Sequence, residues 1–145
     1  MDVDVVSGMY MLVRRNAVDQ VGLMDDDYFV YAEETDWCYR FWKAGWRCTF
    51  TPEAQIIHLD GGSKSTAQIS VNMFVQMQKS MLIFFRKQQG VAIWMCAKSI
   101  FLVSMFFRYI IFTALSFLKN NGSFEQKSQQ TLAALKFHVL KLETK

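Results

Sequence analysis

The hydrophobic positions of the first sixty residues form short apolar runs separated by one helical stripe. Residues 9–14, MYMLVR, are apolar and rich in strand-forming side chains, which predicts a buried strand. Two further short strands are predicted in WRCTFTP (46–52) and AQIIHL (54–59), interrupted at Pro52. Because helical segments separate these runs, the pattern predicts an α/β arrangement.

Two helices fit between the predicted strands. Asn16 can cap a short helix that runs to about Val21, and Gly22 can end it. A second helix fits Thr35–Ala44, with Gly45 at the position where a C-terminal glycine belongs. At helical spacing one face of this second helix is apolar, formed by Trp37, Cys38, Phe41 and Ala44.

After about residue 66 the pattern becomes helical and strongly apolar. An amphipathic helix ending near Gly90 precedes residues 91–118, which are almost wholly apolar and long enough to cross a bilayer. Lys98 and Arg108 interrupt them, so the longest uncharged run is the ten residues 109–118. A confident spanning helix needs about 18 uncharged residues, and a charge inside a span costs about 2.5–3.5 kcal/mol.

We therefore expect this segment to lie at the membrane interface, where Lys98 and Arg108 can reach headgroups. A spanning helix and the core helix of a larger soluble protein are the alternatives, in that order. A last amphipathic helix is predicted after the turn Asn121-Gly122.

Charge separates the two parts of the chain. Residues 1–60 contain 11 Asp and Glu against 5 Lys and Arg, a net charge of −6, whereas residues 61–145 contain 2 against 11, a net of +9. An acidic half suits a site that binds cations, and a basic half suits an anionic surface such as the cytoplasmic leaflet of a membrane. No nucleic-acid partner is expected. The three cysteines form no framework, which indicates reduced thiols in a cytosolic setting: Cys38, Cys48 and Cys96.

The acidic cluster in YAEETDWCYR (31–40) is the main candidate for chemistry. Three carboxylates, on Glu33, Glu34 and Asp36, stand where the second helix begins. Acidic side chains at a helix N-terminus are stabilised by unpaired backbone N–H groups, so the cluster alone is no evidence for catalysis. Asp36 and Arg40 can also pair one helical turn apart.

Three sequence blocks in fixed order favour a catalytic role for the cluster over an ordinary acidic helix start. They are VSGMYMLVRR (6–15), LMDDDYFVYAEETDWCYRFWKAGW (23–46) and PEAQIIHLDGGS (52–63). Together they resemble the C-terminal half of the catalytic domain of family 2 glycosyltransferases, in particular the bacterial rhamnosyltransferase-like members. The resemblance runs from about Asp4 to Ser65, and the spacing of the blocks makes it specific.

The resemblance implies a GT-A fold and inverting transfer from a nucleotide-sugar donor bound through a divalent metal. The expected fold class is thus α/β, a partial GT-A domain that lacks the N-terminal nucleotide-binding half and is followed by amphipathic, membrane-associated helices. The expected domains are an acceptor-side catalytic part over residues 1–66 and a basic helical region over residues 67–145.

The resemblance also implies roles for single residues. Glu34 corresponds to the general base, Glu33 lies beside it near the acceptor, and Asp36 orients the loop or pairs with Arg40. His58 corresponds to the histidine that helps to bind the metal and diphosphate. The predicted substrate-binding residues are Ser7, Gly8, Asp25, Asp26, Trp37, Arg40, Gly61, Gly62 and Ser63.

The nucleotide-binding half of such a domain has no counterpart in these residues. Asp2-Val-Asp4 spells DxD, but it directly precedes the Ser7-Gly8 block rather than ending an upstream strand, so we do not assign it to the metal. A cofactor Mg²⁺ or Mn²⁺ would need a DxD motif outside this chain. We accordingly expect the 145 residues alone to be inactive, as a fragment, a truncated remnant or one part of an assembly, whether with a second chain or as a homo-oligomer.

The expected partners are a nucleotide-sugar donor, for which the resemblance suggests rhamnose, a lipid-linked or polysaccharide acceptor, and the cytoplasmic face of a bacterial membrane. The alternative function is a non-catalytic membrane-surface interaction protein or a degenerate transferase remnant. That alternative accounts for the basic half, but it leaves the register of the three blocks unexplained.

Overall fold

The computed structural model describes residues 1–57, 70–119 and 122–140. It divides into two compact units, Met1–Ala67 and Gln68–Lys145. The helices within the described ranges are α1 Arg15–Val21, α2 Glu33–Lys43, α3 Val71–Phe84, α4 Val91–Lys119 and α5 Gly122–Leu140, with a π-helical turn Phe85–Gln89 between α3 and α4.

The predicted strands were wrong within the described residues, where the structure is helical with a single isolated bridge between Asp2 and Thr49. Residues 11–14 and 54–57 are non-helical and belong to no strand. A strand needs a partner that accepts and donates its ladder hydrogen bonds, and none is placed beside residues 9–14 in the described part of the chain. The α/β fold class and the partial GT-A arrangement are therefore not confirmed.

The isolated bridge joins the N-terminal residues to the segment after α2. The Val3 N–H donates to the Cys48 carbonyl at 3.0 Å, and the Phe50 N–H donates to the Met1 carbonyl at 2.8 Å. These bonds hold two extended segments antiparallel over a few residues. The pairing is too short to form a sheet.

The core of the first unit lies between α1 and α2. Ala17, Trp37 and Phe41 are buried in it, and the Trp37 and Phe41 rings lie 4.9 Å apart between centroids. Partly buried side chains complete the cluster, namely Met11, Val13, Val18, Val21, Trp46 and Cys48. Met11 and Val13 face this core while Leu12 between them is exposed, so the segment keeps the alternation of a strand without its hydrogen bonds.

Glycines end both helices of the first unit as predicted. Gly22, at φ 87°, donates its N–H to the Val18 carbonyl, and Gly45, at φ 85°, donates to the Trp42 carbonyl. Both angles lie in a region that side chains with a Cβ rarely adopt. The predicted cap at Asn16 was wrong, because α1 already begins at Arg15 and its N-cap is Arg14.

The second unit contains α3, α4 and α5, with α4 and α5 antiparallel. The Thr113 and Ser128 hydroxyl oxygens lie 2.7 Å apart, and the Phe101 and His138 rings lie 5.8 Å apart between centroids. The α5 residues that are buried recur at helical spacing, namely Thr131, Ala134 and His138. The long apolar segment predicted over 91–118 is thus one helix of 29 residues, packed along α5.

The second unit buries polar as well as apolar side chains within its described residues. Gln78, Ser80, Thr131 and His138 are buried beside Leu82, Met105 and Ala134, whereas many large apolar side chains of α4 are exposed. Among the described helices, Val91–Lys119 is long and apolar enough to cross a membrane, with a mean hydropathy of 1.9 over a window of which only 6% is buried. This measure rests on length and composition alone.

Candidate active site

The acidic cluster lies at an unusual helix start. Helix α2 begins at Glu33, two residues before the predicted Thr35, and its first turn contains Glu33, Glu34 and Asp36. The two residues before it, Tyr31 and Ala32, both have positive φ angles, 66° and 65°. Such angles cost about 1–3 kcal/mol for a residue with a side chain, and they concentrate at functional sites.

The N-terminus of α2 also lacks an ordinary cap. Its N-cap residue is Ala32, which has no side-chain oxygen to accept a backbone N–H. The first turn instead carries three carboxylates, which the partial positive charge of the helix end stabilises. Three carboxylates are therefore concentrated at a helix start whose backbone is strained and has no side-chain cap.

Asp36 is held inside the first unit rather than presented to a ligand. Its side chain is fully buried and accepts a 2.8 Å ion-pair hydrogen bond from Arg40 Nε. The Tyr28 hydroxyl donates to the other carboxylate oxygen at 3.2 Å. The predicted pair between Asp36 and Arg40 is confirmed, and the burial of Asp36 favours its positioning role over contact with substrate.

Arg40 connects α2 to the end of α1 and to the loop that follows. Its two terminal nitrogens donate to the backbone carbonyls of Val21, at 3.0 Å, and Leu23, at 2.8 Å. A guanidinium can serve three acceptors at fixed angles, which an ammonium cannot do. Arg40 therefore ties the Asp36 carboxylate in the first turn of α2 to the C-terminus of α1 and the loop after it.

Tyr28 shares the buried carboxylate with Arg40. It is 6% exposed, and burial, with the neighbouring Asp36 carboxylate, raises the pKa of the phenol well above its ordinary value of 10. The phenol thus stays protonated and remains a hydrogen-bond donor throughout the physiological range. Its position in the sequence, directly after three aspartates, gave no sign of this role.

Glu33 and Glu34 differ from Asp36 in having carboxylate oxygens without partners. Oε2 of each is buried and accepts no hydrogen bond. A buried oxygen without a donor is costly unless another group completes the site. These two carboxylates are therefore the members of the cluster that are available to a proton or a hydroxyl.

Gly8 lies against Glu34. A Cβ built on Gly8 would stand 3.7 Å from Glu34 Cβ and 3.9 Å from Glu34 Oε1. Ser7 is exposed, and its hydroxyl accepts a 3.5 Å hydrogen bond from the Met9 N–H in a turn. The structure thus brings the predicted residues Gly8 and Glu34 together although 26 positions separate them in sequence.

The predicted aspartates lie in the loop between α1 and α2. Asp25 caps a turn, because its carboxylate accepts the Asp27 N–H at 3.0 Å and its carbonyl accepts the Tyr28 N–H at 3.3 Å. Asp26 is exposed at the tip of that turn. Asp25 therefore shapes the loop, while Asp26 faces away from the core.

Trp37, predicted to contact substrate, belongs to the core. It is 9% exposed, and its indole N–H donates to the Gly22 carbonyl at 2.9 Å. The side chain thereby joins α2 to the C-terminus of α1. Its burial and its satisfied donor favour a structural role.

Four predicted residues fall outside the described ranges: His58, Gly61, Gly62 and Ser63. Within residues 1–57, 70–119 and 122–140, no three His, Cys, Asp or Glu side chains are grouped to hold a metal ion. The described residues therefore do not themselves form the divalent-metal site that the resemblance implies, and we assign no step to that ion.

Sequence comparison identifies the class of protein to which this acidic helix start belongs. The chain belongs to the Glycosyl transferase family group 2, whose model matches residues 2–138. Two curated relatives, N-acetylglucosaminyl-diphospho-decaprenol L-rhamnosyltransferases from two strains of Mycobacterium tuberculosis, CDC 1551 / Oshkosh and ATCC 25618 / H37Rv, are each 45% identical to it over 53 residues.

Those matches cover 37% of this chain and 17% of each relative, so the shared segment is a small part of those enzymes. No solved structure gives a significant match. The family membership and the rhamnosyltransferase likeness inferred from the three sequence blocks are confirmed. The activity of a whole protein of this type remains a proposal for this chain.

Proposed function

We propose that the first unit is the acceptor side of an inverting glycosyltransferase, with Glu34 as the general base. The observation that carries this proposal is the Glu34 carboxylate, whose buried Oε2 has no hydrogen-bond partner and whose other oxygen lies beside Gly8. A base must be fixed in place with an oxygen free to accept a proton, and a positioned base contributes about 10²–10⁴ to the rate.

In the proposed reaction the acceptor hydroxyl gives its proton to Glu34 as its oxygen bonds to the anomeric carbon of the donor sugar. The bond from that carbon to the diphosphate oxygen breaks on the opposite face, and the nucleoside diphosphate leaves with the electron pair. Glu33, the next residue along the chain, also has a buried carboxylate oxygen without a hydrogen-bond partner, and we assign it a contact with the acceptor. The absence of a Cβ on Gly8 leaves room for the acceptor beside the base.

Asp36, Arg40 and Tyr28 hold this base in place without touching substrate. Their hydrogen bonds link the first turn of α2 to the carbonyls of Val21 and Leu23. A reactive group needs such support, because a displacement of about 1 Å can cost two orders of magnitude in rate.

Rhamnose is the proposed sugar and a lipid-linked glycan the proposed acceptor. The support is the 45% identity to enzymes whose name states transfer of L-rhamnose to N-acetylglucosaminyl-diphospho-decaprenol. The basic, apolar second unit agrees with such an acceptor, since it would hold the site near the cytoplasmic membrane surface. The donor would be a nucleotide-activated sugar, bound largely by residues outside the acidic unit.

The test uses the native polypeptide from the membrane fraction of its own cells, with its intact mass measured first. Transfer from dTDP-rhamnose to a polyprenyl-diphosphate-linked N-acetylglucosamine is then followed for the wild type and for Glu34→Gln. Glu53→Gln is the matched control, because Glu53 is an exposed carboxylate outside the helix start.

Loss of turnover by about 10²–10⁴ in Glu34→Gln, with Glu53→Gln unaffected, would support the proposal. Equal turnover in both variants would remove Glu34 from the role of base. If the wild type transfers no sugar but binds membranes, the non-catalytic alternative is favoured. An intact mass of 16.9 kDa would then show that the half-domain exists alone.

A further inference from the structure

The outer face of α4 is a continuous apolar stripe that no described residue covers. Its side chains are 46–84% exposed and lie on one side of the helix at 100° per residue. From Ile93 to Leu118 the stripe is about 38 Å long at 1.5 Å per residue. We call it the outer stripe, formed by Ile93, Ile100, Val103, Phe107, Ile110, Ile111, Phe117 and Leu118.

The outer stripe lies on the side of α4 away from α5. At 100° per residue it occupies roughly 120° of the helix circumference, opposite the positions that contact α5. Those contacting positions include Phe101, whose ring meets His138, and Thr113, whose hydroxyl meets Ser128, with Met105 buried between them. Three other large apolar residues of α4 are exposed outside the outer stripe, namely Val91, Met95 and Phe106.

The outward side of α5 is polar up to Lys136 and apolar at its C-terminal end, where Val139 and Leu140 are exposed. Glu125, Gln129 and Lys136 are exposed, whereas the residues that face α4 are buried. The two helices therefore form a thin layer with an apolar surface on one side and a polar surface on the other. A layer with that division suits a boundary between hydrocarbon and water.

The register of the two helices disfavours a transmembrane arrangement of this layer. Two contacts fix that register, Thr113 with Ser128 and Phe101 with His138. They place the exposed Lys136 within about 3 Å of the midpoint of α4 along the axis. If α4 crossed a bilayer, Lys136 would face lipid at the centre, where a lysine is strongly disfavoured.

The cationic side chains of the layer lie over aromatic rings away from the outer stripe. The Lys98 ammonium lies 5.4 Å from the centroid of the Trp94 ring, and the Arg108 guanidinium lies 5.6 Å from that of Phe112. Lys127 lies 5.7 Å from Phe112 and 5.6 Å from Phe124. Aromatic rings paired with cations are typical of the headgroup level of a membrane.

Charge also identifies the partner of this surface. The described residues of the second unit contain eight Lys and Arg but one acidic side chain, Glu125. An anionic surface complements that balance, and the length of the apolar stripe requires an extended apolar partner.

We propose that α4 and α5 lie flat in one leaflet of an anionic bilayer, with the outer stripe in the hydrocarbon and α5 on the aqueous side. Lys98 and Arg108 then reach lipid phosphates without crossing the apolar layer. This inference deepens the membrane location within the proposed function and does not depend on the transfer chemistry.

A depth measurement on the full chain distinguishes lying from spanning. Single-cysteine derivatives, made after Cys38→Ala, Cys48→Ala and Cys96→Ser, carry a spin label at one of four sites. Three lie along the outer stripe (Ile93→Cys, Val103→Cys, Leu118→Cys), and Lys136→Cys is the matched site at the middle of the layer on its opposite side. Each is bound to phosphatidylcholine vesicles that contain phosphatidylglycerol, and its access to oxygen and to an aqueous nickel chelate is measured.

The proposal expects equal depth at the three stripe sites and an aqueous environment at residue 136. Maximal depth at residues 103 and 136, with shallow labels at 93 and 118, would mean that α4 spans and would overturn it. Labels on the stripe that oxygen in the lipid does not reach would assign the stripe to a protein partner or a second copy, which also overturns it. Helix content by circular dichroism verifies that each derivative is folded.

Binding of the unmodified chain to the same vesicles needs no cysteine replacement. The double variant Lys119→Gln, Lys127→Gln is expected to bind about 25-fold more weakly, since each lysine near an anionic surface contributes about fivefold. The control Lys43→Gln, Arg47→Gln removes the same charge from the first unit and is expected to bind as the wild type does. Equal binding to vesicles without phosphatidylglycerol would contradict the proposed role of lipid phosphate. Neither experiment measures sugar transfer. A negative result for membrane depth or binding would therefore contradict the membrane proposal without bearing on the transferase proposal.

Discussion

Gly8 presents its bare α carbon to Glu34, and the nearest carboxylate oxygen would lie 3.9 Å from a methyl group placed there. One residue belongs to a turn near the N-terminus and the other to the first turn of α2. Their contact joins two of the three sequence blocks that define the family likeness. It also leaves the small Gly8 next to a carboxylate oxygen, on the side from which the proposed acceptor hydroxyl would approach.

The size of residue 8 should therefore control access to Glu34. A Cβ at that position makes only ordinary contacts, so Gly8→Ala should fold normally and retain most of any transferase activity. Gly8→Leu should fill the space and reduce kcat/KM at least tenfold. Circular dichroism compares the folding of the two variants. Equal kcat/KM in both would mean that the acceptor approaches Glu34 from another side.

The buried ion pair should matter far more than the exposed one. Arg40→Ala leaves the Asp36 carboxylate buried without its cation, which should lower the free energy of unfolding of the first unit by about 3–5 kcal/mol. Arg47→Ala is the matched control, because the pair between Arg47 and Asp2 is exposed and screened by water. Urea unfolding followed by tryptophan fluorescence measures both. Similar midpoints for the two variants would contradict the structural role of Arg40.

Tyr28 should titrate later than an exposed tyrosine. Burial raises the pKa of its phenol, with Asp36 adding to the effect, so the folded state favours the protonated form. Stability from this group is fully present below its unfolded pKa of about 10 and is lost as pH rises above that value. Tyrosinate absorbance during alkaline titration should show a late phase that Tyr28→Phe lacks. A single early phase in the wild type would contradict the buried hydrogen bond to Asp36.

His138 should make the second unit sensitive to acid. Burial lowers the pKa of its imidazole from the ordinary 6.5, and the Lys98 ammonium lowers it further. The unfolded chain then binds the proton more readily, so stability present above pH 6.5 is lost as pH falls through the lower folded value.

The variant His138→Leu tests that sensitivity. Neither ring nitrogen has a hydrogen-bond partner, so Leu should leave stability at pH 8 nearly unchanged. Thermal melting of the helical signal at pH 8 and pH 5 should show a smaller decrease in Tm for the variant. An equal decrease in both proteins would assign the acid sensitivity to other groups.

The parts of this fold that depend on neighbouring residues could be predicted from sequence. Gly22 and Gly45 end their helices because the terminal backbone angles suit glycine. The pair between Asp36 and Arg40 follows from their four-residue spacing on a helix. The apolar composition of residues 91–118 likewise gave a long helix within two residues of its observed bounds.

The parts that depend on distant residues could not be predicted. Residues 9–14 have the composition of a strand, but a strand forms only where another segment pairs with it. The contacts of Arg40 with the Val21 and Leu23 carbonyls depend on the path of the intervening loop. The positive φ angles of Tyr31 and Ala32 have no signature in residue type, because glycine and asparagine are the usual markers.

Those two consecutive left-handed residues should make the proposed transferase activity more sensitive to mild unfolding than the fold is. Each of them holds backbone energy that the ion pair and the packed aromatic rings of α2 keep from relaxing. Loosening of that support by heat or mild denaturant would let the helix start unwind locally and move the free carboxylates apart. The proposed sugar transfer would then be lost before the helix content. A preparation that still shows a normal melting temperature in a thermal-shift assay could already be inactive.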